Sequence, residues 1–196
     1  MIILCLAIQQ LKTLILKNRK ILFLCGYDYS KVFLELNELE FQVIIPLNEK
    51  MLSNEGRYNL QNTLKEKALL LNYEQVAAKI DKLQPDVLIS FGWRRIITNN
   101  MLNNRKLNIN VHPATLPEYK GYHPVPYVLL NNEKEHGITA HIITDELDAG
   151  DIVHMEKFNI NKFSTLRSLQ SKVNDIMPNF IHQLLTKLNA DANMTF

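Results

Sequence analysis

Two stretches of this chain carry side chains able to move protons and steady a developing charge. The first is NINVHPATLPEYKG, residues 108–121. In a strand, side chains alternate faces, so Asn110 and His112 would project from one side at the carboxyl-terminal end of NINVH. An uncharged amide donor beside an imidazole that titrates near neutral pH suits acyl-type chemistry, where an oxyanion needs donors and a proton must be moved. Pro113 stops the ladder, and Leu116, Pro117 and Gly121 imply a rigid surface loop directly after the pair. An Asn-x-His pair also serves in loop capping. The second stretch is TDELDAGDIV, residues 144–153, where Asp145, Glu146, Asp148 and Asp151 cluster and Ala149 and Gly150 permit a tight turn. Acids in that number also form solvated loops. Their spacing does not match a calcium loop with ligands at alternate positions and a terminal Glu, and no metal is expected.

The elements that must position these residues read as an open α/β sheet. ILFLCG, residues 21–26, is a short apolar run ending in Gly, as a strand buried on both faces reads. KVFLELNELEF follows with Val32, Phe33, Leu36 and Leu39 at helical spacing. FQVIIPL repeats the strand pattern, and the polar stretch 48–62 reads as a long loop. YEQVAAKIDKLQPD places Val76, Ala77, Ile80 and Leu83 on one helical face before the strand VLISF. LNINVH, GITAHIIT and DIVHMEKFNI supply further strands. Residues 164–188 read as a helix that Pro178 must kink or divide. Short apolar strands alternating with amphipathic helices predict a Rossmann-like, mostly parallel sheet flanked by helices.

Bulk properties exclude other classes. The chain of 196 residues is 46% hydrophobic, enough for one well-buried core. Its 22 basic and 20 acidic residues are intermixed, so no nucleic-acid footprint is expected. Cys5 and Cys25 lie in apolar runs and read as core residues in a reducing compartment, consistent with a cytoplasmic protein. Residues 1–19 read as an extension ahead of a single catalytic domain over 20–196. Their apolar stretches are broken by Gln9, Gln10 and Lys12, too short for a membrane span, and they lack the features of a secretory signal. After the first strand, CGYDYS has one glycine where a dinucleotide fingerprint needs three, which disfavours NAD or FAD.

Together, INVHPATLPEYKG and GITAHIITDELDAGDIV resemble the folate-dependent formyltransferase family, whose members include glycinamide ribonucleotide, methionyl-tRNA and nucleotide-sugar formyltransferases. The resemblance covers roughly residues 20–188 in organisation. It implies a Rossmann-like fold and 10-formyltetrahydrofolate as formyl donor. It also implies a catalytic triad, which by motif falls on Asn110, His112 and Asp148. SFGWRRII, residues 90–97, is similar to one wall of the family's pterin pocket, and the resemblance assigns Trp93, Arg95, Ile96 and Ile97 to it. The opposing wall resembles Thr144, Asp145, Glu146 and Leu147. Arg94 and Arg95 also read as ordinary solvated arginines.

The amine acceptor is approached by elimination. The glycinamide ribonucleotide enzymes carry a Ser/Gly-rich loop after the first strand to hold a phosphate, where this chain has GYDYSK. The tRNA enzymes append a basic domain, and nothing of that size follows Leu188. The resemblance then points to a small-molecule acceptor, the amine of a nucleotide-linked sugar of the dTDP-4-amino-4,6-dideoxyglucose type. Tyr27, Tyr29, Tyr122 and His123 are the candidates to pack against sugar or base, although each also reads as plain surface or core. Glycinamide ribonucleotide, methionyl-tRNA and hydrolysis of formyl-folate by the same triad stay open, as does a homodimer.

Overall fold

The computed structural model describes residues 19–26, 30–35, 41–47, 54–102 and 107–190. Residues 1–18, Cys5 among them, lie outside the described residues, as do Tyr27 and Tyr29.

Three strands begin the sheet: β1 (Ile21–Cys25), β2 (Phe41–Pro46) and β3 (Ala68–Leu71). β4 (Val87–Phe91), β5 (Leu107–His112), β6 (Glu135–Ile142) and β7 (Ile152–Asn159) complete it in the order β3-β2-β1-β4-β5-β6-β7. β3 through β5 are parallel, while β6 and β7 run antiparallel. Every residue of β1 and β4 is buried, which is why those segments read as continuous apolar runs and not as alternation. The helices are α1 (Ser30–Glu35), α2 (Asn54–Leu64), α3 (Tyr73–Leu83), α4 (Asn99–Leu102), α5 (Pro124–Leu130) and α6 (Leu166–Ala190).

Two apolar layers sandwich the sheet. On one face Leu22, Leu24, Ile44 and Leu88 meet Val76 and Ile80 of α3 and Met101 of α4. On the other, Phe23, Val43, Ile45, Ile89 and Phe91 meet α1, α2 and α6 through Phe33, Leu60, Phe180 and Ile181. Phe23 sits edge-on to Phe33, Phe41 and Phe91, with centroids 5.6, 5.5 and 5.9 Å away. α3 starts where Gln75 Oε1 accepts the main-chain N–H of Asn72 at 3.0 Å, and it ends with Gln84 in the left-handed region ahead of Pro85.

The chain adds strands outward from β1 first on one side, to β3, and then on the other, from β4, so the strand order reverses between β1 and β4, the place where a parallel sheet opens a crevice at the carboxyl ends of its strands. Gly26 and Gly92 follow β1 and β4 directly and pass close to one another. A Cβ on Gly26 would lie 1.9 Å from the carbonyl oxygen of Gly92, so only glycine lets the two chain segments pass.

Three expectations change. Of the polar stretch read as a loop over 48–62, residues 48–53 lie outside the described residues and the rest belongs to α2, because Leu60 and Leu64, one turn apart, are buried and suffice to seat an otherwise polar helix. β3 was not expected at all: ALLL is short and each of its residues is half-buried. The C-terminal segment is one helix of 25 residues with Pro178 inside it, so the proline does not divide it. Buried Val173, Met177, Phe180, Ile181, Leu184 and Leu185 hold the helix against the sheet on both sides of the lost N–H. Among the described residues, no helix is long and apolar enough to cross a membrane.

Candidate active site

The end of β5 meets β4 on one side and β6 on the other. Register pairs Asn110 with Ser90 of β4 and with His141 of β6. Ser90 Oγ–H donates to Asn110 Oδ1 at 2.7 Å, which fixes the amide and turns its NH2 group the other way. That NH2 group reaches His141 Nε2 at 3.2 Å and Asp148 Oδ1 at 3.3 Å. His112, two residues further on, lies on the same face and is 5% exposed.

Asp148 arrives from the turn between β6 and β7. Ile142 N–H donates to Asp151 O and Ile143 N–H to Asn108 O, both at 2.9 Å, which closes the turn against β5. Gly150 allows that closure, since a Cβ there would lie 1.9 Å from the carbonyl oxygen of Ile142. Asp148 itself has φ +48°, a left-handed conformation that short polar residues tolerate. Its carboxylate Oδ2 accepts Gly121 N–H at 2.8 Å and lies 3.4 Å from His112 Nδ1, while Oδ1 lies 3.3 Å from His141 Nε2. Asn110, His112, His141 and Asp148 therefore form one contiguous polar cluster.

Electrostatics give the members different roles. Burial pushes the Asp148 carboxyl up, but hydrogen bonding by His141, the charge of His112 and the Gly121 N–H outweigh it, and its pKa is held below the ordinary value. The group is an anion at neutral pH. Burial pushes His112 down, against the raising effects of the Asp148 charge and the Tyr119 carbonyl, and His141 adds to the depression. His112 is thus neutral in the resting protein at neutral pH, beside a carboxylate that favours its protonation. That arrangement suits a group that takes a proton during reaction and returns it.

The remaining candidates lie on the segments that follow β4 and β6 and on the loop after Gly121. Trp93 packs against Tyr73 at 6.1 Å, and its buried indole N–H has no hydrogen-bond partner. Arg95 sits over the Tyr73 ring at 5.2 Å, and Tyr73 O–H donates to the Ile96 carbonyl at 2.7 Å. Ile96 is 79% exposed, whereas Ile97 turns into the core beside α3. Across the site, Leu147 is 66% exposed, Asp145 is exposed, and Thr144 Oγ–H donates to Glu146 O at 3.0 Å. Glu146 pairs with Lys120 at 3.3 Å. Tyr122 and His123 follow Gly121 directly, with ring centroids 4.0 Å apart. Arg94 lies over the Tyr122 ring at 4.9 Å and hydrogen-bonds its hydroxyl.

Sequence reasoning missed His141 and Ser90. His141 is the one titratable side chain in GITAHIIT, but only the antiparallel register places it opposite Asn110. Among the described residues, no three His, Cys, Asp or Glu side chains are grouped to hold a metal.

Comparison with known proteins bears on this geometry. The formyl transferase family model matches residues 50–185. The bifunctional polymyxin resistance protein ArnA of Wigglesworthia glossinidia brevipalpis is 37% identical over 48% of this chain and 14% of its own length. A methionyl-tRNA formyltransferase of Finegoldia magna is 34% identical over 53% of this chain and 34% of its own length. The matched stretch thus spans 14% and 34% of the length of these curated relatives. Among solved structures, phosphoribosylglycinamide formyltransferase from Bacillus halodurans superposes with TM-score 0.74 at 18% identity, covering 91% of this chain and all of that one. A formyltetrahydrofolate deformylase from Pseudomonas syringae superposes with TM-score 0.70 at 18% identity, covering 90% of this chain and 62% of that one. At such identities the structures speak for the fold.

Proposed function

The chain belongs to the formyl transferase family, and on that premise we propose that it moves a formyl group from 10-formyltetrahydrofolate to a primary amine with Asn110, His112 and Asp148. The observation that carries the reading is the convergence of these three side chains at the carboxyl end of β5, with Asn110 Nδ2 3.3 Å and His112 Nδ1 3.4 Å from the Asp148 carboxylate.

The residues present fit a folate. Ile96 and Leu147 expose apolar side chains on two separate loops, and the buried Trp93 indole N–H, on the same segment as Ile96, is a donor without a partner. Trp93, Arg95, Ile96, Thr144, Asp145, Glu146 and Leu147 would hold the donor, with Ile97 bracing that wall from the core. When bound, 10-formyltetrahydrofolate supplies an activated formyl carbonyl.

The chain's own residues then act in sequence. Asn110 Nδ2–H, held by Ser90, donates to the oxygen that gathers charge as the amine attacks. Its two present bonds are long, at 3.2 and 3.3 Å, so one can be exchanged for the oxyanion. As the new C–N bond forms, the amine proton would pass through water and the Asp148 anion to Nδ1 of His112, whose imidazolium charge then acts on the same oxygen; as the bond from the formyl carbon to the leaving nitrogen breaks, that proton would return to the leaving nitrogen.

For the acceptor, the reading is the amine of a nucleotide-linked amino sugar. Tyr122, 62% exposed and edge-on to His123, follows the residue whose N–H binds Asp148, so an aromatic face borders the reacting groups. GYDYSK after β1 lacks the Ser/Gly-rich character that suits a terminal phosphate.

The test is incubation with 10-formyltetrahydrofolate and, separately, dTDP-4-amino-4,6-dideoxyglucose, glycinamide ribonucleotide, methionyl-tRNA and buffer alone. Tetrahydrofolate release with one added formyl mass on the sugar supports the reading. Formylation of another amine keeps the chemistry and replaces the acceptor. Formate release in buffer alone would make the chain a hydrolase.

A further inference from the structure

The shortest contact made by His112 is not to Asp148. His112 Nε2 lies 2.8 Å from the main-chain carbonyl of Tyr119, against 3.4 Å from Nδ1 to the carboxylate. A carbonyl only accepts, so this contact puts a proton on Nε2 and leaves Nδ1, facing Asp148, as the nitrogen whose protonation changes. The carbonyl is presented by a residue in an unusual conformation: Tyr119 has φ +59°, a region aromatic residues seldom occupy.

What holds it there is its own phenol, outside the site. Tyr119 O–H donates to Glu133 Oε1 at 2.5 Å and accepts from Asn131 Nδ2 at 2.9 Å. Both partners are fixed by the end of α5, where Asn131 N–H donates to Tyr127 O at 2.9 Å and Glu133 N–H to Val128 O at 3.2 Å. The start of the same loop is pinned independently: Thr139 Oγ–H donates to Ala114 O at 2.7 Å and accepts Leu116 N–H at 3.1 Å. The loop is therefore clamped to β6 at its beginning and to the end of α5 at Tyr119.

We infer that Tyr119 is a positioning residue for His112: Glu133 and Asn131 grip its phenol so that its carbonyl fixes the imidazole's tautomer and orientation. The inference rests on His112 being a reacting group. The charged or titratable groups facing His112 are Asp148 from the β6–β7 turn and His141 and His136 from β6; Glu118 and Glu133 act on the Tyr119 phenol. A Tyr119→Phe substitution removes the grip without touching any of the groups that face the imidazole.

The experiment uses the full chain with ring-15N-labelled histidine, as wild type, Tyr119→Phe, Glu133→Ala and Glu133→Gln. NMR reads the His112 tautomer and the exchange of its Nε2 proton, and steady-state kinetics use 10-formyltetrahydrofolate with dTDP-4-amino-4,6-dideoxyglucose. Wild type should show neutral His112 as the Nε2–H tautomer with a slowly exchanging proton. Tyr119→Phe and Glu133→Ala should mix the tautomers, speed exchange and lower kcat about ten-fold with KM little changed, since small misplacements of a reacting group act on the chemical step. Glu133→Gln keeps an acceptor oxygen and should restore both readouts. Unchanged His112 ring signals in Tyr119→Phe, or Glu133→Gln behaving like Glu133→Ala, would overturn the inference. If the ring signals change as described while wild type does not formylate the sugar, the positioning role stands and the acceptor reading fails.

Discussion

The two halves of the sheet solve different problems. Among the described residues, no polar or charged side chain of β1, β2 or β3 is fully buried, the half-buried Gln42 being the one polar residue in those strands, whereas Ser90, His112, His136, Thr139, His141 and Asp148 are all buried from the end of β4 through the turn after β6. The parallel half gains its stability from apolar contact on both faces. The other half gives up part of that gain to hold groups that water would otherwise solvate, and, His136 apart, it offsets the loss by pairing them with one another or with the main chain. The difference teaches where to look for chemistry in an α/β sheet: at the strands where burial stops being apolar.

That contrast is broken most severely from the apolar side. Phe23→Ala removes a fully buried ring that meets three others, and should cost about 3 to 5 kcal/mol of stability in urea denaturation. Activity per folded molecule should stay unchanged. If Phe23→Ala lost little stability, the division of labour between the halves would be wrong.

His141→Ala attacks the polar half. Asn110 and Asp148 lose a shared partner, and turnover should fall about 10²-fold, the scale of a small displacement of reacting groups. Because His141 helps to hold the Asp148 pKa down, its removal should also shift the acid limb of the pH profile to higher pH. An unmoved limb would detach His141 from the carboxylate.

His136 sharpens the comparison from within the buried polar set. It is fully buried edge-on to Phe158, neither ring nitrogen has a hydrogen-bond partner, and burial lowers its pKa to about 4. The unfolded chain therefore binds a proton below the ordinary histidine value of 6.5 that the folded protein refuses, so stability is fully present above that pH and falls as pH drops toward about 4. The loss attributable to His136 at pH 4.5 should be about 2 to 3 kcal/mol. His136→Phe should flatten the fall between pH 6.5 and 4.5, and a curve parallel to wild type would show that His136 already carries its proton.

Much of this was readable in the chain itself. NINVH alternates, so Asn110 and His112 fall on one face without any knowledge of neighbours, and LDAG marks the turn that brings Asp148. The unread parts depend on long-range pairing. His141 looks like any strand residue until β6 is set antiparallel to β5, and Ser90 looks like a strand end until β4 is set parallel to it. α2 hid in a polar stretch because two leucines anchor it, and α6 passed through Pro178 because tertiary packing outweighs one missing N–H. The carbonyl of Tyr119 could not be read at all, since main-chain groups leave no trace in residue identity.

The rate of formyl transfer and the midpoint of thermal unfolding, measured on the same preparations of wild type and Asn110→Ala, decide whether the polar cluster is machinery. The rate should be lower by about 10² to 10³ with the midpoint little changed, because an oxyanion donor is lost from a partly exposed position outside the core. A midpoint that collapses while the rate per folded molecule stays near wild type would leave the polar cluster as structure and not as machinery.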